Sequence, residues 1–369
     1  MSDLADMEPL AAMYPQDVEF AVISEIRDAA LQALAPDVAD FLEGGAGEEV
    51  TLRANRTAFG RWGVRPRPMS GVSAPSTATT LLGLPLELPV LTAPFGGDAL
   101  FHEQGHLAVA RAAAASGAVA IVPEAGTFSY ERVAETAPDA ARIAQIHPFD
   151  HFDVVAERIR DAGYAALCVT VDCPTAGFRV RNRVNRFAPD LTYFAGNLVG
   201  EGTPDVAEMF GRLVSHDSPA WDWDWLAAAT GRCGLPWIAK GVLTAEAAGH
   251  ALAAGASALV VSNHGGRQTD PAPAALDALP EVVAEVGGRV PVLFDSGVRS
   301  GADVFVALAL GADAVVIGRL AAYGLAAGGE TGVRRVFELL AEELRTLMIL
   351  AGVPDVASFT PDLVARCDR

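Results

Sequence analysis

Short apolar runs stopped by proline, glycine or a polar residue recur along most of the chain, at 89–94, 118–123, 142–146, 165–172, 236–241, 258–264, 291–297 and 314–319. Runs of this length between such breakers read as strands buried on both faces. Most gaps between them hold an alanine-rich stretch of helical period, at 105–116, 148–163, 244–255 and 300–311. Eight strand candidates alternating with helices predict an α/β fold, a closed (β/α)8 TIM barrel. An open doubly wound sheet is the alternative, but no GxGxxG follows the first strand to favour it.

Ahead of the barrel, residues 22–43 have helical spacing interrupted by Pro36 and stopped at Gly44-Gly45-Ala46-Gly47. Residues 48–59 predict a further helix, and 61–68 form a Pro- and Arg-rich connector. Residues 1–20 are acidic and aperiodic and read as a flexible arm, which leaves 21–369 as a single barrel domain. The gap after the fourth strand is out of scale. Its residues 175–235 predict a lid insertion, because long connectors without structure of their own usually serve as lids or binding loops. A surface-packing insertion is the alternative for its middle part.

Composition bears on partners more than on fold. A net charge of -19 argues against wrapping nucleic acid or lying on an anionic membrane. No apolar run is long enough to span a bilayer, and no basic segment followed by an apolar core opens the chain. Cys168, Cys173, Cys233 and Cys367 lack CxxC or zinc spacing, so a reduced, cytoplasmic protein without a metal site is expected.

Candidate chemistry gathers at the strand ends, where parallel barrels keep their reactive groups. The sixth run stops at Ser262-Asn263-His264-Gly265-Gly266-Arg267. A His beside an Arg offers a proton acceptor and a cation that can fork onto a carboxylate; a capped strand end with a hydrogen-bonded His is the plainer reading. Gln145 closes the third strand, Thr170 and Asp172 the fourth, and Lys240 the fifth. Asp295-Ser296-Gly297-Val298-Arg299 follows the seventh and Gly318-Arg319 the eighth. Loops after strands seven and eight are a common phosphate site in barrels. Lys240 suits a Schiff-base nucleophile, a charge partner for a cofactor, or a buried ion pair.

These motifs, with Thr170-Val171-Asp172-Cys173-Pro174, Gly177, Arg179, Lys240-Gly241 and Ile317-Gly318-Arg319, agree in order and spacing with a known family. The chain resembles the FMN-dependent α-hydroxy-acid oxidases and dehydrogenases from about Val22 to Gly352. The resemblance implies FMN, a small carboxylate substrate, oxygen or an unknown electron acceptor, and a homo-oligomer, a tetramer in the family. It implies His264 as base, Asp172 as the residue orienting it, and Lys240 beside the flavin N1–C2=O edge. Arg179 and Arg267 would hold the substrate carboxylate. The backbone of Ala93-Pro94-Phe95-Gly96, with Gln145, Thr170, Lys240 and Ser262, would bind the flavin. Asp295 would take the ribityl hydroxyls, and Gly297, Arg299, Gly318 and Arg319 the phosphate.

Three places depart from the family pattern. Phe41 stands where a tyrosine usually contacts the substrate carboxylate, and His147 replaces a tyrosine near the reacting carbon. Pro123-Glu124 replaces serines beside the flavin, removing an N–H and adding negative charge. His147 brings a group expected to change charge between about pH 5 and 8, unless it is only a spatial replacement. Together these changes point away from glycolate and lactate, toward a larger or differently functionalised substrate. Oxidative decarboxylation or oxygen insertion on the same scaffold, or flavin binding without turnover, are the other outcomes.

Overall fold

All eight apolar runs become strands of one closed parallel barrel in the computed structural model, which describes residues 18–198, 205–215 and 221–367. The strands are Val90–Thr92, Val119–Val122, Arg142–Ile146, Ala166–Thr170, Trp237–Val242, Ala258–Val261, Val292–Phe294 and Ala314–Ile317. Each pairs with the next in chain order, and the eighth closes on the first, with Val315 opposite Val90. Because successive strand side chains point to opposite faces, the runs divide between two cores. Leu91, Ile121, Ile143, Cys168, Ile238, Val260, Leu293 and Val316 fill the barrel interior. Val90, Val122, Ala144, Val169, Leu259, Val261 and Phe294 pack outward against the helices. A short hairpin, Thr79–Leu81 with Leu84–Leu86, adds Leu81 and Leu86 to the inner cluster.

The four expected helices are present as Gly105–Ala115, Phe152–Asp161, Ala245–Ala253 and Gly301–Ala309. Tyr130–Thr136, Ala275–Val286 and Arg319–Ala351 complete the ring, the last broken at Gly328 and Gly329. The segment 22–43 divides at Pro36 as expected, into Ile23–Ala33 and Pro36–Glu43. Proline suits the first helical turn because its missing N–H has no partner there anyway. Val50–Phe59 follows. Residues 1–17 of the expected arm lie outside the described residues, whereas Phe20 is buried and its carbonyl accepts from Arg335 Nε at 2.8 Å. Trp62–Val64 pairs antiparallel with Val364–Arg366.

The long insertion is not structureless where it is described. It holds Val180–Val184, a 3-10 turn at Leu191–Phe194, Val206–Ser215 and Trp223–Cys233; residues 199–204 and 216–220 of the expected lid lie outside the described residues. Trp223–Cys233 packs on Phe152–Asp161 through Trp225 against Phe152 and serves as the outer helix of the fourth strand. The earlier part is pinned over the second strand's loop. The Asn197 side chain accepts from Tyr130 N–H at 2.7 Å and donates to the carbonyls of Pro123 and Glu124 at 3.1 Å. These hydrogen bonds fasten the described part of the segment to the second strand's loop.

One buried lock ties the N-terminal helices to the sixth strand's loop. Asn55 and Asn263 exchange two amide hydrogen bonds of 2.8 Å, side chain to side chain. Asn55 Oδ1 also accepts from Ala275 N–H, and Asn263 Oδ1 from Gly266 N–H, at 3.1 and 3.0 Å. Each buried polar group left unpaired costs about 1–3 kcal/mol. Asn55→Ala is therefore expected to lower the denaturation midpoint clearly and to loosen the loop 262–267. A urea midpoint equal to that of the parent would remove this lock from the account.

Candidate active site

The fourth, fifth and sixth strands bring three expected residues together. His264 lies in a 3-10 turn, His264–Gly266, and itself has a left-handed backbone with φ 58°. That unusual conformation turns the ring toward the fourth strand's end, where Nδ1 lies 3.2 Å from Asp172 Oδ1 and 3.3 Å from Oδ2. A carboxylate can only accept, so His264 carries its proton on Nδ1 and keeps Nε2 for other work. Burial, then Lys240, lowers the proton affinity of His264 more than Asp172 raises it, so the ring is held below the ordinary imidazole range. Burial pushes Asp172 upward, but His264 and Lys240 outweigh it and leave the carboxylate below its usual value.

Gly241 makes the Asp172 position possible. It sits at an irregularity in the fifth strand with φ 115°, and a side chain there would meet Asp172 Cγ at 2.5 Å. Gln268 holds the same segment, donating to the carbonyls of Asp172 and Thr175 at 3.0 Å. Lys240 is 4% exposed; its Nζ lies 3.6 Å from Asp295 Oδ2 and 3.5 Å from Ser262 Oγ. Ser262 Oγ also accepts from His264 N–H at 3.0 Å. Ser296, missed from sequence, donates to Asp295 at 2.6 Å and accepts from the N–H groups of Asn263 and Gly265.

The arginines divide their work unevenly. Arg267 Nη1 donates to the carbonyls of Phe41 and Gly44 at 2.6 and 2.9 Å. Arg319 donates to those of Leu42, Gly44 and Gly265 at 2.8, 2.8 and 2.9 Å, so much of its expected phosphate-binding capacity is already committed to the main chain. Arg179 is different: its buried Nε has no hydrogen-bond partner. The Arg179 and Arg267 guanidiniums lie 5.8 and 4.9 Å from the Phe41 ring centre. Burial, followed by Arg179 and Arg319, lowers Arg267 well below the usual guanidinium range. Burial and Arg299 bring Arg319 down to about 10.

Phe41 and His147 both sit in worked environments. Phe41 stacks on Phe187 at 4.8 Å and meets Phe194 edge-on at 6.4 Å. Glu124, fully buried, accepts from His147 Nδ1 at 2.7 Å, His147 N–H at 2.9 Å and His151 Nε2 at 2.8 Å. His151 was missed, although His147-Pro148-Phe149-Asp150-His151 puts two imidazoles within one short loop. Burial opposes protonation of His147, but Cys173 and Glu124 prevail and raise it to about 10. The sequence placed the charge change of His147 between pH 5 and 8; beside Cys173 and the buried Glu124 carboxylate it is shifted above that window. Gln145 lies between these groups, its Oε1 accepting from Glu124 N–H at 3.2 Å and its Nε2 3.3 Å from His147 Nδ1. Thr170 is buried at the fourth strand's end, and Ala93-Pro94-Phe95-Gly96 leaves the first strand, with Phe95 against His106 at 4.6 Å.

A ring of buried cations, a histidine–aspartate pair and a lysine at the carboxyl end of a parallel barrel define an oxidoreductase-type site built for an anionic ligand. The chain belongs to the FMN-dependent dehydrogenase family, whose model matches residues 30–366. It is 40% identical to a peroxisomal (S)-2-hydroxyacid oxidase of Arabidopsis thaliana, over 92% of this chain and 94% of that one. It is 42% identical to an L-lactate oxidase of Nostoc sp., over 85% and 89%. A solved mandelate oxidase variant with (S)-mandelic acid superposes with a TM-score of 0.85 at 37% identity, covering 94% of this chain and 98% of that one. A Pediococcus acidilactici lactate oxidase gives 0.87 at 32% identity, covering 95% and 96%.

The residues fit FMN. Arg299 and Arg319 are both buried, and Arg299 lowers the proton affinity of Arg319, an effect that a phosphate dianion held beside them would relieve. Arg299 donates to Val298 O at 2.7 Å, and Gly297 beside it has φ 94°, which favours a residue without a side chain. Asp295 supplies acceptors for hydroxyls, and buried Lys240 supplies a fixed cation.

Two outcomes test this geometry. Gly241→Ala should displace Asp172 and slow flavin reduction by substrate at least tenfold while FMN stays bound; an unchanged rate would show that the close approach is immaterial. In the parent enzyme His264, held below the ordinary imidazole range, is deprotonated early on the pH scale, and the expected role as base ties the rate of flavin reduction to that deprotonation. Reduction rates should rise with pH through an inflection below the usual histidine value and then level off. An inflection above that value, read by stopped flow, would contradict the lowered His264.

Proposed function

We propose that this protein oxidises a 2-hydroxy acid larger than glycolate or lactate to the corresponding 2-oxo acid. The observation carrying the size assignment is Phe41, an apolar ring stacked among Phe187, Phe194 and Phe101, where a hydroxyl donor is expected in this family. The substrate carboxylate sits on Arg179, whose buried Nε awaits an acceptor, with the Arg267 charge behind it. Planar guanidiniums suit this task better than ammonium groups. His264 takes one proton from the H–C–O–H unit at Nε2, and Asp172 stabilises the imidazolium that results. Lys240 offers positive charge where reduction leaves negative charge. Bound FMN supplies the two-electron acceptor.

Molecular oxygen is the electron acceptor in this reading, which the oxidase names of the relatives support. A cytoplasmic setting is supported by four free cysteines, and among the described residues no helix is long and apolar enough to cross a membrane. Assembly into a homo-oligomer rests on the family resemblance.

Anaerobic mixing with glycolate, L-lactate, L-mandelate and longer 2-hydroxy acids tests the proposal. Larger acids should bleach the flavin faster and yield 2-oxo acids; faster bleaching by glycolate or lactate would overturn the size assignment. His264→Ala should retain FMN but lose about 10²–10⁴-fold in reduction rate. Reduction at the parent rate would remove His264 as the base.

A further inference from the structure

Glu124 is a carboxylate of the site region that the oxidation just described does not use. It is 0% exposed, behind the end of the second strand, with a His on each of its oxygens. A buried ionised carboxylate is costly unless paired and hydrogen-bonded. Here the pairing is complete: Oε2 accepts from the His147 ring and main chain, and Oε1 from His151. The three groups differ in access. His151 is 6% exposed and His147 14%, so His147 is the open end of the cluster.

The ring's orientation follows from the partner. Since Glu124 accepts at Nδ1, the His147 ring directs Nε2 away from the carboxylate. On that outer side stand the Cys173 thiol, Phe149 and Trp221, the two rings at 5.7 and 6.5 Å. Cys173 directly follows Asp172, the partner of His264, and lies within electrostatic reach of Lys240, Arg179 and Arg267. His147 therefore faces the same barrel mouth as the catalytic pair, from the third strand's loop. Arg179 and Arg267 mark one anion position; the Glu124-clamped imidazole marks a second, separate donor.

We propose that His147 is a specificity-determining residue that receives a second carboxylate on the substrate's side chain, so that the substrate class is a 2-hydroxy dicarboxylic acid. Glu124 and His151 are positioning residues, acting only through the His147 ring. The inference rests on the 2-hydroxy-acid oxidation proposed above and names the substrate class of that site.

The test uses the FMN-loaded enzyme with L-malate, L-2-hydroxyglutarate, L-lactate and L-mandelate, and follows anaerobic flavin reduction. Calorimetric binding of 2-oxoglutarate against pyruvate gives a readout independent of turnover. The parent should prefer dicarboxylates in kcat/KM and in binding. His147→Gln should reduce the dicarboxylate-to-monocarboxylate ratio roughly ten- to a hundredfold, the loss expected for a hydrogen bond to a charged group. His147→Tyr, which keeps a ring in that position, guards against simple misfolding and should reduce the ratio likewise.

Glu124→Gln distinguishes positioning from mere support. The groups facing His147 are Glu124, His151 and Cys173, with the Tyr130 hydroxyl behind Gln145. With Glu124 present, His147 keeps its proton to about 10, so 2-oxoglutarate binding should be flat from pH 6 to 8. In the Glu124→Gln variant one of the two groups that raise His147 is lost, so the ring gives up its proton at lower pH than in the parent and binding should weaken as pH rises. A pH-flat variant, or parent-like substrate ratios in both His147 variants, would overturn the assignment. If mandelate reduces the flavin while dicarboxylates neither bind nor react, the second-carboxylate site fails and the oxidation reading stands. If no 2-hydroxy acid reduces the flavin, the oxidation reading itself fails.

Discussion

Arg267 and Arg319 reach from the sixth and eighth strand loops to the same short stretch of backbone, the carbonyls of residues 41 to 44. Those carbonyls close the helix Pro36–Glu43, where the last turn leaves its acceptors unsatisfied and the helix dipole is negative. Two cations thus cap a helix end while the helix end holds the cations in place. Burial and the neighbouring Arg179 and Arg319 both disfavour the charge on Arg267, and the carbonyls supply acceptors that partly offset its loss of water. The N-terminal helices are therefore part of the site. They face the barrel's catalytic end because the arginines require acceptors there, and the Asn55–Asn263 amide pair fastens them to the loop that carries His264.

The remaining site charge follows the same logic in pairs. Lys240 is offset by Asp295, His264 by Asp172, and Glu124 by two imidazoles. Arg179 is the exception, a buried guanidinium whose Nε has no partner and whose proton affinity burial lowers. Buried polar groups in folded proteins are nearly always satisfied. Arg179 therefore stands out as the site guanidinium with donor capacity still open, close to a His264 held below the ordinary imidazole range.

Much of this was legible before any coordinates. Strand runs such as 119–122 and 258–261 are apolar throughout and stop at Pro123-Glu124 and Ser262-Asn263, because a strand buried on both faces has no alternation to blur the signal. Residues such as His264, Asp172 and Lys240 were found because strand ends locate chemistry in this architecture. Contacts between distant segments were harder to foresee. Nothing local in Asn55 announces a partner at Asn263, and Ser296 bonds across to the sixth strand's loop only because its backbone adopts φ 82°. Two glycines of the insertion were equally silent about distant contacts: at Gly177 and Gly196 the backbone comes so close to other segments that a side chain would meet Arg267 O at 2.1 Å or Phe128 C at 2.6 Å.

The charge state of His147 shows most clearly why composition and position do not suffice. An imidazole read alone belongs to the neutral pH range. Whether it titrates there depends on the residue across from it, and that residue comes from another strand's loop. Glu124 by itself would be a poor neighbour for an electron-rich ring system, and His147 by itself a plain replacement for tyrosine. Together with His151 they form a cluster in which each member accounts for the next: the carboxylate tolerates burial because of the imidazoles, and the outer imidazole is cationic because of the carboxylate. Remove Glu124 and the two imidazoles lose their shared acceptor; remove both imidazoles and a fully buried carboxylate is left without an ionic partner, so the three positions depend on one another.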